Sequence, residues 1–426
     1  LSVFYPSNPE GKPVGPLPTI VWIHGGAYTE GFSSMYKGTD IVDQSNRGVV
    51  VVTIQYRLGV FGFLSGMAIK ANGDLNVGLL DQEFALRWVN RHISKFGGDP
   101  LKVTIWGESA GAGSVLQHVV ANGGETQPQL FRGAITSSSW LPPQYNYNDR
   151  IPELIYSEFV ARMNCTAASD SLECLRAADI NALQNVNIDM NAASFFSMPA
   201  FLPVVDGQFI TQRPSQSLAL GKVNGKSLLS VTNAFEGAAL VDPNSVNATK
   251  YALELFPNFG PDQAVQVGSL YAGLGTPLFQ TSVVLAESLL ICPTYYLLRA
   301  FPGRSFKGEF AIPPAIHGLD VITYFPSIVT DWPEVSVLYA PTPYTNPAFI
   351  DAFVQSFTSF AISLDPNIKV DPATITPPWP MWNVGSTEML FNKTDTGVPV
   401  VTPIETNAAL LERCQFWHSV TDLTAQ

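Results

Sequence analysis

The stretch VTIWGESAGAGSVL, residues 103–116, carries a β-branched run into a run of small residues, with one serine, Ser109, held between Gly107 and Gly111. A strand that turns abruptly into a helix crowds the backbone on both sides of the corner, so only the smallest residues fit beside it and the corner side chain is left exposed. The pattern therefore predicts a strand ending near Glu108, a helix opening at Ala110, and Ser109 on the elbow between them. The Ala-Gly-Ala-Gly run at 110–113 lets that helix lie close to the sheet, with its positive N-terminal end toward the serine.

Working outward, residues 19–24, 49–56, 102–106 and 131–136 are short and apolar on both faces, the signature of strands in a covered, mainly parallel sheet. Between the second and third, Leu80, Phe84 and Trp88 recur at four-residue steps beside Ala85 and Val89. They predict an amphipathic helix ended by Gly97, Gly98 and Pro100. Strand and helix in alternation imply βαβ units and an α/β fold. A further strand is expected at 227–232, helices at 279–300 and 346–363, a short strand at Glu388–Asn392 and a terminal helix near 404–422. No repeat or charge block marks a boundary, so residues 1–426 read as a single domain whose prolines lie in long loops.

A serine hydroxyl at its own pKa is a poor nucleophile and needs a base, an acid to orient the base, and donors for the charge that develops on oxygen. With a G-x-S-x-G elbow the chain order is serine, acid, histidine. Of the five histidines, His24 and His92 precede the serine, and His118 lies nine residues along the same helix. His418 sits in a helical pattern as an ordinary helix residue. His317, in the proline-bounded loop IPPAIHGLD, is the candidate base. Glu236 directly follows an apolar strand and precedes Gly237, which makes it the candidate acid, whereas Asp206 in FLPVVDG reads as a turn-forming Asp-Gly. Glu108, beside the nucleophile, reads as a buried carboxylate in a polar network below the site. The glycines of IVWIHGGAYTEG leave backbone N–H groups uncovered for an oxyanion.

Composition narrows the function classes. A net charge of −12 with 23 Lys and Arg supplies no basic footprint for nucleic acid or anionic membrane. No uninterrupted apolar stretch is long enough to span a bilayer, and no stable membrane anchor is expected. The chain starts at LSVFYPSNPEGKP, without a signal-peptide pattern, as a mature or trimmed protein would. The four cysteines, Cys165, Cys174, Cys292 and Cys414, match no CxxC metal spacing. Together with three glycosylation sequons, at Asn164, Asn247 and Asn392, and an acidic composition, they favour a secreted protein.

The segments VWIHGGAY, YRLGVFGFL, GLLDQEFALRWVNRHISKFGGDP, VTIWGESAGAGSV, PVVDG, TNAFEG, AIHGLD and ERCQFW as a set resemble the type-B carboxylesterase/lipase family, over most of the length of the chain. The resemblance implies an α/β-hydrolase fold, with Ser109 as nucleophile, Glu236 as acid, His317 as base, and Gly26, Ala27 and Ala110 as oxyanion donors. Ala27 stands where many members carry a third glycine, a replacement that is harmless if φ there is negative. The resemblance also implies the pairings Cys165–Cys174 and Cys292–Cys414. Members normally have a further N-terminal segment, bearing a lid, that is missing before Leu1. The expected reaction is hydrolysis of a small-molecule ester, lipids included, through an acyl-enzyme, with no metal or organic cofactor.

Phe195, Phe196, Met198, Phe201 and Leu202, crowded into NAASFFSMPAFLPVV, are the expected apolar substrate pocket, favouring medium or long acyl chains. The same fold can also serve an inactive adhesion or scaffolding protein, and the same triad a serine amidase or peptidase.

Overall fold

The computed structural model describes residues 1–334 and 343–426. Among the described residues, nine strands form one sheet. They are β1 (Ser2–Phe4), β2 (Leu17–Ile23), β3 (Val50–Ile54), β4 (Gly98–Glu108), β5 (Gly133–Ser137), β6 (Ser227–Asn233), β7 (Ser305–Phe310), β8 (Thr387–Lys393) and β9 (Pro399–Glu405). Their spatial order is β1-β3-β2-β4-β5-β6-β7-β8-β9. The seven from β3 to β8 run parallel, while β1 and β9 close the two edges antiparallel. This is an α/β-hydrolase sheet, and every residue of β3, β5 and β6 is buried because helices cover both faces.

Alternation along each strand divides the core in two. Trp22 and Trp106, in register on β2 and β4, point to one face, where Trp106 stacks on Phe357 of the helix Pro347–Ser363. Val21, Ile23 and Ile105 point to the other face, against the helices Val77–His92, Ala110–Val120 and Cys292–Ala300.

Four expectations are corrected. The helix Val77–His92 forms, but its buried face is Leu79, Gln82, Ala85, Leu86 and Val89, and Phe84 is 74% exposed. The i, i+4 aromatic series fell one step off the true apolar face, which a buried glutamine had interrupted. Gly98 and Pro100 belong to β4; the helix has already ended at His92, and Gly97, with φ 79°, turns the chain. β9 occupies residues expected to open the terminal helix. It is an edge strand, so Pro399 and Pro403 cost it few ladder bonds, and the helix starts only at Ala408, capped by the Asn407 side chain on the Leu410 N–H. Finally, the helical run Pro277–Ala300 is long and apolar enough to cross a membrane, but 89% of its apolar window is buried, as befits a core helix.

Cys165 bonds to Cys174 within one small loop, and Cys292 to Cys414 across 122 residues, tying the helix Cys292–Ala300 to the helix Ala408–Ser419. Strand β7, SFKGEF, escaped the sequence reading because it carries charge. Lys307 is fully buried and pairs with Glu388 of β8 at 2.9 Å while donating to Thr232 Oγ1 of β6 at 2.8 Å. One ammonium thus joins three neighbouring strands.

Candidate active site

All the parallel strands present their carboxyl ends to the same edge of the sheet, and the candidate residues hang from four of them. Ser109 follows β4, the Gly25–Ala27 loop follows β2, Glu236 follows β6, and His317 follows β7. Ser109 has φ 55° and ψ −123°, a strained conformation for a residue with a side chain. The neighbourhood enforces it: a Cβ on Gly107 would strike the backbone of Gly111, and one on Gly111 would strike the carbonyl of Ile23 in β2. The Ser109 N–H donates to the Ser137 carbonyl at 3.0 Å and its own carbonyl accepts from Gly113, so the elbow is held on both sides.

The structure brings Ser109, His317 and Glu236 into one hydrogen-bonded chain. Ser109 Oγ lies 2.8 Å from His317 Nε2, and His317 Nδ1 lies 2.6 Å from Glu236 Oε2. Glu236 is 0% exposed, and its other oxygen accepts from Ser138 Oγ at 2.6 Å and the Asn233 N–H at 2.7 Å. The loops carrying acid and base are themselves joined, the Phe235 N–H donating to the Ala315 carbonyl at 2.9 Å. Gly237 is needed at the turn, because a Cβ there would run into the Ser282 carbonyl.

Electrostatics bias the imidazole. Burial alone would lower the His317 pKa, but the hydrogen bond and charge of Glu236, with Glu108 and Asp320 behind it, lift it to about 9. Glu108 approaches Nε2 at 3.5 Å, and burial raises its pKa to about 8 against the pull of His317, with Asp320 and Glu236 adding to the rise. A protonated Glu108 at neutral pH spares His317 one of the charges that favour its imidazolium form.

On the oxyanion side, the N–H groups of Gly26 and Ala27 have no acceptor among the described residues. Ala110 is the first residue of the helix Ala110–Val120, where N–H groups have no intrahelical partner. The condition under which Ala27 would be harmless, a negative φ, is not met: Ala27 has φ 53° and Tyr28 φ 60°. Two consecutive left-handed residues cost about 1–2 kcal/mol each. What holds them is Tyr28, buried between Phe63 and Trp140, with its carbonyl accepting from the Gly59 N–H at 2.7 Å. His24 supports the same loop by a 2.8 Å bond to the Gly25 carbonyl while stacked on Tyr56.

The apolar excursion is not one pocket. Phe195, Met198 and Leu202 line a cavity of about 150 Å³ with Pro143, Tyr145 and Ile155, and that lining includes none of Ser109, Glu236 or His317. Phe201 is 1% exposed and packs edge-on against Phe159, so it is core, and Phe196 is 50% exposed. Five apolar neighbours in sequence were dispersed because the segment is irregular and turns at Ser197, with φ 60°. Asp206 makes the expected turn, accepting from the N–H groups of Gln208 and Ile210. Asn164 and Asn247 are exposed, while Asn392 is partly buried in β8.

Sequence reasoning missed Ser138, Asn233 and Asp320, which complete the polar setting of Glu236: Asn233 Nδ2 donates to Asp320 Oδ1 at 3.0 Å. The signal was present in the serine run at 137–139, polar residues at the end of an apolar strand.

Residues 1–256 match the model of the carboxylesterase family. The chain is similar to a secreted triacylglycerol lipase of Gibberella zeae, 32% identical over 90% of this chain and 69% of that protein. A carboxylesterase of Aspergillus clavatus is 29% identical over 95% of this chain and 71% of its own length. Lipase 2 of Geotrichum candidum is 36% identical over 67% of this chain and 54% of its own length. Among solved structures, EstA of Aspergillus niger matches with a TM-score of 0.83 and 28% identity, covering 97% of this chain and 83% of that one.

Proposed function

The chain belongs to the carboxylesterase family and is a carboxylic ester hydrolase, and from that premise we propose that Ser109, His317 and Glu236 are its nucleophile, base and acid. The observation that carries this is the unbroken hydrogen-bond chain from a strained elbow serine through His317 to a fully buried carboxylate. His317 Nε2 takes the Ser109 proton as Oγ attacks the ester carbonyl carbon. The oxyanion then faces the N–H groups of Gly26, Ala27 and Ala110, and His317 returns its proton to the departing alcohol. Water attacks the acyl-enzyme by the same steps, with Glu236 holding the Nδ1–H tautomer throughout.

Ser109→Ala is expected to cut kcat on a p-nitrophenyl ester by at least about 10³-fold with the fold intact. Retained turnover in that variant excludes Ser109 as the nucleophile.

The substrates are apolar esters of medium or long acyl chain, a reading supported by relatives named as lipases. Each buried methylene adds about 0.8 kcal/mol, so kcat/KM on p-nitrophenyl esters is expected to climb from acetate before it levels off. A steady fall from acetate onward refutes this. Residues 1–426 act as one catalytic domain, and the protein works outside the cell. Two disulfides, exposed sequons at Asn164 and Asn247, and relatives named as secreted support that location.

A further inference from the structure

Behind the loop that carries Glu236 lies a second cavity, of about 310 Å³, large enough for a small organic molecule. Its floor is aliphatic, from Ala234, Leu274, Val283, Ile291 and Leu410. Phe235 and Phe279, 49% and 39% exposed, sit at its rim with ring centroids 6.5 Å apart in an edge-to-face arrangement. One wall is the π-helical turn Glu287–Ile291, an irregularity that interrupts the long core helix here and is often kept at functional positions.

Three carboxylates line this cavity, and two are already committed. Glu236 is bound by His317, Ser138 and Asn233. Glu287 is clamped by Arg413 through three contacts of 2.6–3.1 Å and receives the Tyr271 hydroxyl at 2.6 Å. The third, Glu309 on β7, has neither a hydrogen bond nor an ion pair among the described residues, although it is partly buried. Lys307, two residues before it on the same face of the strand, is turned to Glu388 and Thr232. The cavity therefore combines an aliphatic floor, two accessible aromatic rings and one carboxylate with no hydrogen-bond or ion-pair partner among the described residues, while the Arg413 guanidinium in the same lining is taken up by Glu287.

We propose that this cavity is a binding site for a small organic ammonium ion, its cationic head on Glu309 and its apolar body against Phe235 and Phe279. A metal ion or inorganic cation would leave the aliphatic floor unused, and an anion would meet Glu309 directly. An alkyl- or arylammonium satisfies both the charge and the rings, since a partly desolvated cation is attracted by a carboxylate and by aromatic faces together. The site is separate from Ser109, and the proposal does not depend on which ester is cleaved.

The test uses benzyltrimethylammonium, benzyl alcohol and benzoate as probes, titrated by calorimetry into the whole chain. In the wild type the ammonium is expected to bind at least about tenfold more tightly than the alcohol, and benzoate not at all. Glu309→Gln should weaken the ammonium by about tenfold and leave the alcohol unchanged, while Phe279→Ala weakens both by about threefold. Protein whose Ser109 is blocked by a phosphonate should bind the ammonium as before, which separates this site from the esterase centre and from any failure of its assignment. Equal binding of ammonium and alcohol, or an unchanged ammonium affinity in Glu309→Gln, overturns the proposal. So does loss of ammonium binding on phosphonylation.

Discussion

At the scale of single residues, the site depends on where protons rest. Glu108 is the instructive case, because its sequence position beside Ser109 says nothing of its charge. Burial raises its pKa to about 8, so it is mainly protonated at pH 7 and ionises only in mildly alkaline solution. Once ionised, 3.5 Å from Nε2, it favours the imidazolium form of His317 and so opposes a role as base. Glu108→Gln removes that charge at every pH. The rising limb of kcat/KM against pH is therefore expected to move to lower pH in the variant, with the plateau retained within about tenfold. An unmoved or upward-shifted limb means that Glu108 and His317 are not coupled. The left-handed Ala27 makes a related point: the loop can carry a side chain there because Tyr28 is locked by its packing, so strain at one residue is offset by burial of the next.

At the scale of elements, the sheet edge collects the site, and β7 shows how charge can stand inside a sheet. The Lys307–Glu388 pair is almost wholly buried and also receives the Tyr295 hydroxyl at 3.1 Å. Breaking such a pair from one side leaves a lone buried charge, so Lys307→Met is expected to cost about 3–5 kcal/mol. The double variant Lys307→Met, Glu388→Leu is expected to recover much of that loss. Denaturant unfolding of both measures the pair, and a single variant as stable as wild type shows that it does not hold β7 to β8. The short apolar strands were legible because a doubly covered strand needs no polar face. β7 and β9 were not, since Lys307, Glu309 and two prolines are tolerated only through partners in the sheet or an open edge.

At the scale of the whole molecule, five buried groups make large contributions to how stability answers to pH. Glu108, from 4.5 to about 8, Asp320, from 3.8 to about 6, and His317, from 6.5 to about 9, all have pKa values raised by folding. Each contributes stability that is present below its unfolded value and lost as pH climbs through its folded value. His24 and His118 are lowered by burial from 6.5 to about 4 and about 3, and their contribution is instead lost on acidification. Between about pH 4.5 and 6 the two sets oppose one another. Of these five, Glu108 and His317 still titrate above 6.5, both lowering stability as pH rises. Melting temperature is therefore expected to vary little across mildly acidic pH and to fall from about pH 6.5 to 9. Rising stability over that alkaline interval contradicts the raised values.

The sequence by itself determined the alternation of strand and helix, the elbow at Ser109 and the order in which serine, acid and histidine follow one another. These depend on local steric limits and on periodicity, which neighbouring residues express directly. Tertiary structure alone decided that Ser138 and Asn233 hold Glu236, that Glu108 lies against His317, and that Phe201 is core while Phe195 and Met198 border a cavity. Those outcomes follow from which side chains meet across strands far apart in the chain. Burial, and with it charge state, exists only once they have met.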